Sequence, residues 1–374
     1  MKKILILFTA ILILSCTADD TTEEKSDNFD REAMMRNLAD TVIMPSYDKL
    51  SQALERFKEE SDGFIANPNQ INFIALQSLY LRAYNKWQAV EMYNIGMAEE
   101  LEYKLKMNVF PTDPVNIENN ITSGNYDLLF VNNNDAVGFP ALDYMLFGLG
   151  ETDEEIRSFY DTHENAAGYQ RYLSDNIDQM IDLTDQVIAD WENGYREEFI
   201  AGTANNASSP LNLMVNSMIE YYERNLRANK IGIPAGKFSN EPLPEKVEGL
   251  YSEQYSRTMV LEALNAFQGF FNGSGSSIGY NRKNRESIAG YLDALEDIDP
   301  ATDLVPLSTM VNDQLETART QLLTMDRNLN EQVETNNTEM LRTYDELQRA
   351  VVLMKTDMLS LLDISLSFTD SDGD

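Results

Sequence analysis

The chain is 374 residues long but has a single cysteine, Cys16, and a single histidine, His163. One cysteine excludes an internal disulfide. One histidine cannot assemble an ordinary catalytic zinc site, which draws on several histidines or cysteines, and it gives a histidine-dependent nucleophile triad little to stand on. Positive charge is scarce as well: 29 Lys and Arg stand against 62 Asp and Glu, a formal charge of −33. Recognition of a phosphate backbone needs a basic footprint, so nucleic acid is excluded as an expected partner. The long-range field would instead draw in cations, although its plainest meaning is solubility outside the cytoplasm. Alternating apolar and polar runs of strand type are few. The longest apolar run, residues 4–14, is too short to be a comfortable permanent membrane span.

That short run has a meaning of its own. Lys2 and Lys3 precede it, and it ends in LILSC at Cys16, which is the layout of an export signal. The pattern resembles a bacterial lipobox, in which cleavage falls before the cysteine and its thiol carries lipid. Residues 1–15 are therefore expected to be a lipoprotein signal peptide, and Cys16 the lipidation site that holds the protein on a membrane. The segment TADDTTEEKSDN that follows is too polar to fold alone. Residues 16–29 read as an acidic flexible tether. The expected location is the cell envelope, on the outer membrane at its periplasmic face or the cell surface.

Beyond the tether, helical periodicity dominates. Tyr344, Leu347, Val351, Met354, Met358 and Leu361 are spaced 3, 4, 3, 4, 3, the stripe of a helix packed in a bundle. Leu173, Ile177, Met180, Thr184, Val187 and Trp191 obey the same rule. Further helices are expected within 29–60, 71–105, 245–271 and 306–329, with Asn69 a candidate cap for the second and a bend in it near Gly96. Residues 108–134, 202–210, 231–244 and 272–279 carry the Asn, Pro, Gly and Ser of loops. The reading is all-α, with two helical-bundle domains packed side by side around a cleft, residues 30–205 and 206–374.

Three motifs can be set aside. NGSGSSIG (272–279) lacks the Lys-Ser/Thr pair and preceding strand of a phosphate cradle, and reads as an interhelical loop. DSDGD at the C-terminus has its glycine one step too early for a calcium loop and no closing glutamate. His163 lies in polar DTHENAAG and reads as a solvated surface side chain. Asp143, within VGFPALDYMLFG (137–148), is different. It is surrounded by apolar residues, and a buried carboxylate needs partners. It lies either in a cleft or on the polar side of a short helix whose first turn Pro140 suits.

Several segments together resemble the imelysin-like family, also called peptidase family M75. VGFPALDYMLFG is similar to its signature, GxHxxE followed by an aromatic, leucine-rich run ending in glycine. LRAYNKWQAVEMYNIG (81–96) resembles an early helix, GIPAG (232–236) a glycine-proline turn, and LMKTDMLSLLDISLSFTDSDGD the C-terminal helix. The resemblance implies an all-helical, extracytoplasmic protein of two bundles with a site at their junction, linked to iron. It also implies metal bound through the signature His and Glu. Here Pro140 stands at the histidine position and Asp143 at the glutamate position, while Gly138 is kept. Proline offers a metal no side-chain ligand, so Asp143 is the only motif position left for a metal, and a cofactor such as iron or another divalent cation stays open.

The expectation is a non-catalytic, lipid-anchored binding protein of iron or haem uptake. Its ligand would meet Gly138, Pro140, Asp143 and Tyr144, with Arg82, Trp87, Lys355 and Asp357 from the matching helices. Its partners would be the membrane, through Cys16, and an outer-membrane receptor or other iron-uptake components. A metal-dependent peptidase and a partner-docking lipoprotein without a small ligand are the alternatives.

Overall fold

The computed structural model describes residues 28–275, 279–298 and 302–368. Cys16, nearly all of the tether, and the DSDGD tail lie outside the described residues. No strand occurs among the described residues, and none of their helices is long and apolar enough to cross a membrane.

The first helix, α1, runs through residues 31–66. Asp30 caps it by accepting the Ala33 N–H, and its turn at Leu38–Ile43 widens to a π-helix just before Pro45, which has no N–H to give to a regular ladder. Its inward stripe includes Leu50, Leu54, Phe57 and Phe64, all fully buried. Helix α2, Gln70–Trp87, starts where expected: Asn69 accepts the N–H groups of Ile71 and Asn72. It ends well before residue 105. Gln88, Glu91 and Asn108 need partners from the other half of the chain, and the backbone leaves the helix to supply them. At Gly96, φ is +57° and the Tyr195 ring lies 2.8 Å from where a Cβ would sit, so only glycine fits this turn.

After short helices at Tyr103–Met107 and Pro114–Ser123 come α3, Gly138–Asp143, which opens into a π-turn over Tyr144–Gly148, and α4, Ala166–Asp190. Helices α1, α2 and α4 pack together as the first bundle. The second half contains α5 (Pro210–Glu220, continuing as wide turns over Tyr221–Gly232), α6 (Ser256–Phe271), α7 (Leu307–Leu323) and α8 (Leu329–Val352, extended by Leu353–Met358 and Leu359–Leu362). The expected α8 stripe is inside: Tyr344, Leu347, Val351, Met354 and Met358 are buried and Leu361 half-buried.

Two expected boundaries differ. The 245–271 helix begins only at Ser256, because residues 247–252 bend to meet Asp143. The 306–329 helix stops at Leu323, and Asn328 caps a new helix by accepting the N–H groups of Asn330 and Glu331. The apolar core runs without a break from Met34 to Ile364. It crosses between the halves where α6 touches α2 and where Phe29 stacks on Tyr291 at 4.7 Å.

Candidate functional site

The signature segment forms the short helix α3. Gly138 opens it with φ +71°, and an added Cβ would lie 2.3 Å from the Met107 carbonyl oxygen. Its N–H donates to Asn176 Oδ1 at 3.3 Å. Pro140 occupies the first turn and is buried. Asp143 closes the helix at 2 % exposure. Its carboxylate accepts the Tyr251 N–H at 2.9 Å, the Ser252 N–H at 3.2 Å and the Tyr80 hydroxyl at 3.4 Å. Burial pushes its pKa up to about 6, while the bonds from Ser252, Tyr251 and Tyr80 pull it back down. Tyr144 is half-buried. Its hydroxyl donates to Glu118 at 3.1 Å, and its ring meets Tyr251 edge-on at 5.3 Å.

One helical turn along α2 from Tyr80, a second buried cluster begins at Tyr84. Glu248 Oε1 accepts from Asn108 Nδ2 at 2.8 Å, Gln88 Nε2 at 3.0 Å and the Tyr84 hydroxyl at 3.1 Å. Lys230 Nζ lies 2.6 Å from Glu248 Oε2 and 3.1 Å from Glu91 Oε2. Asn108 Nδ2 also donates to Glu91 Oε1 at 3.0 Å. Glu91, Glu248 and Lys230 are all nearly inaccessible. Burial pulls the Lys230 ammonium down, but Glu248 and Glu91 outweigh it and hold the group above its usual range. The two clusters share residues 247–252, which bring Glu248 to one and the Tyr251 and Ser252 amides to the other.

This arrangement binds charge internally. A hard cation asks for several oxygen ligands converging on one point. Glu91 and Glu248 are bridged by the Lys230 ammonium and by the Asn108 amide, which occupy the space between them, and Asp143 is satisfied by two backbone amides and the Tyr80 hydroxyl. Among the described residues no three His, Cys, Asp or Glu side chains gather as a metal site. The residues present do not fit a resident metal at this junction.

Gly138, Pro140, Asp143 and Tyr144 stay together, as adjacent positions must. Trp87 is buried against Tyr103, edge-on at 5.2 Å, and its indole N–H has no partner. Arg82 is exposed on the side of α2 away from Tyr80 and Tyr84. Lys355 pairs with Glu223 at 3.1 Å, near Arg227 rather than Asp143, and Asp357 is exposed. His163 is exposed as expected and stacks on Phe159 at 5.0 Å. The Glu91–Lys230–Glu248 cluster was not anticipated. Glu91 sits in an apolar run, WQAVEMY, which is a signal for a buried charge; Lys230 and Glu248 lie in polar sequence and carry none.

The architecture defines an all-α protein whose helices pack around one continuous apolar core containing a cluster of buried carboxylates. The sequence profile described as Imelysin, Peptidase_M75, matches residues 43–354, and the chain belongs to the imelysin family. Among solved structures, an imelysin-like protein from Psychrobacter arcticum 273-4 superimposes with a TM-score of 0.68 at 16% identity, covering 91% of this chain and 99% of the other. A protein described as an iron-regulated protein A precursor, from Parabacteroides distasonis ATCC 8503, gives a TM-score of 0.68 at 16% identity, with 87% and 94% covered. At that identity the likeness concerns the fold. No curated protein matches.

Proposed function

We propose that this chain is a non-catalytic, lipid-anchored binding component of iron or haem acquisition in the cell envelope. The observation that carries the non-catalytic reading is the position of Lys230, 2.6 and 3.1 Å from two buried carboxylates. An internal ammonium already occupies the place between the two carboxylates, so a metal ion would have to displace a buried, doubly paired cation to reach it. The iron link rests on family membership and on the iron-regulated neighbour. The anchor rests on the signal-like N-terminus and Cys16.

Metal analysis and peptide cleavage on the full-length protein in detergent test the first part. The expected result is less than one equivalent of metal after loading with chelator-free ferrous or zinc ion and gel filtration, with no cleavage of a casein substrate in any added metal. Cleavage that stops with chelator and is lost in Asp143→Asn would restore the peptidase reading. For the anchor, Cys16→Ser is expected to move the protein from the membrane fraction to the soluble fraction, and unchanged membrane association would refute it.

A further inference from the structure

The surface of a chain with formal charge −33 should be acidic throughout, yet one groove is not. It runs between α1 and α2. Its walls carry Lys49 and Arg56 from α1 and Arg82 and Lys86 from α2, its floor includes Ala53 and Leu79, and its volume is about 320 Å³. Helix α2 contributes two cations and no acidic residue along its length. Arg82 and Lys86 are one turn apart, and Lys49 and Arg56 two turns apart, so the periodicity of both helices points the four at one strip of surface. Among the described residues, Arg56, Arg82 and Lys86 have no ion-pair partner, in contrast to neighbouring Lys58, which is held by Asp62 and Asp178. Acidic groups enter one turn beyond Arg56, where Glu59 and Glu60 line the adjoining stretch of the groove together with Arg56, Leu79 and Arg82, so the excess of positive charge is at the Lys49 and Lys86 end.

We propose that this groove binds a small polyanion, a ferric ion already wrapped in a polycarboxylate chelator. The assignment rests on the iron reading above and names its cargo. Ferric ion hydrolyses and precipitates at neutral pH unless chelated, and its oxygen-rich chelates commonly carry negative charge. Guanidinium groups match carboxylates two bonds at a time, while Ala53 and Leu79 give the hydrocarbon parts of a chelator an apolar floor. A chelated cargo also needs no metal ligand from the protein, consistent with a buried junction already occupied by Lys230. The concave shape favours a compact ligand over a flat bilayer, and the overall negative charge opposes an anionic membrane.

Calorimetric titration of the full-length protein in detergent with ferric citrate, iron-free citrate and inorganic phosphate tests this. Ferric citrate is expected to bind saturably at one site. The Arg56→Gln/Arg82→Gln double variant is expected to weaken it by about tenfold or more, as the loss of two charge-assisted contacts implies, with an unchanged melting temperature because both side chains are exposed. Absence of saturable binding, equal binding by the double variant, or phosphate binding as tightly as ferric citrate would each overturn the assignment. So would adsorption of the Cys16→Ser protein to phosphatidylglycerol vesicles that the double variant loses, since the groove would then be a membrane contact. Growth under iron limitation separates the two levels: if deleting the gene impairs growth although ferric citrate does not bind, the groove is wrong and the iron role stands. If deletion leaves growth unchanged, the iron role falls as well.

Discussion

Asp143 and Lys230 show two ways in which the protein accommodates a buried charge. Asp143 relies on hydrogen bonds alone, and burial leaves its pKa at about 6, above the ordinary 3.8. The folded state therefore holds this proton more tightly than the unfolded chain does. Its contribution is fully present below pH 4 and is lost as pH rises through about 6, by on the order of 2–3 kcal/mol. Urea unfolding of wild type and Asp143→Asn between pH 4 and pH 7 should show the difference between them changing over that window and constant above it. Lys230 is the opposite case, a cation that two carboxylates keep charged. Lys230→Met leaves Glu91 and Glu248 buried without their counterion, and a loss of about 3–5 kcal/mol of stability is expected from denaturant unfolding. A loss below about 1 kcal/mol would mean the pair is reached by solvent.

Among elements, the turn over residues 247–252 is the one most dependent on a distant partner. It is not helical, although its sequence continues into α6, because two of its amides are committed to Asp143 and Glu248 to Lys230. Asp143→Ala would orphan the Tyr251 and Ser252 N–H groups at a cost of about 2–4 kcal/mol. Hydrogen exchange at those two amides should accelerate while exchange in the middle of α8 keeps its order among the slowest sites. If the Tyr251 and Ser252 amides stay equally protected, Asp143 does not hold the turn. The elements that the sequence foretold best are those fixed locally: the Asn69 cap of α2 and the 3-4 stripe of α8. The early end of α2 was hidden, since the residues after Trp87 suit a helix and leave it only to reach Glu248 and Lys230.

For the whole molecule, one apolar core links the two helix groups, with α2 against α6 and the Glu91–Lys230–Glu248 cluster spanning sequence positions far apart. Such continuity predicts a single cooperative thermal transition, with calorimetric and van't Hoff enthalpies in agreement. Two resolved transitions would show that residues 30–205 and 206–374 unfold as separate domains.

Composition and periodicity by themselves determined that the chain is helical, acidic and unable to form an internal disulfide, and the resemblance of residues 137–148 to a family signature added that Pro140 stands at a histidine position. Those properties belong to residues or to neighbours within a turn or two, so the order of the chain suffices to read them. Only the tertiary structure decided that Asp143 is tied to the amides of Tyr251 and Ser252, that Lys230 lies between Glu91 and Glu248, and that Arg82 faces a basic groove instead of Asp143. Each of these depends on which faces of distant helices meet, and burial, which sets the energy of a charge, exists only once they have met.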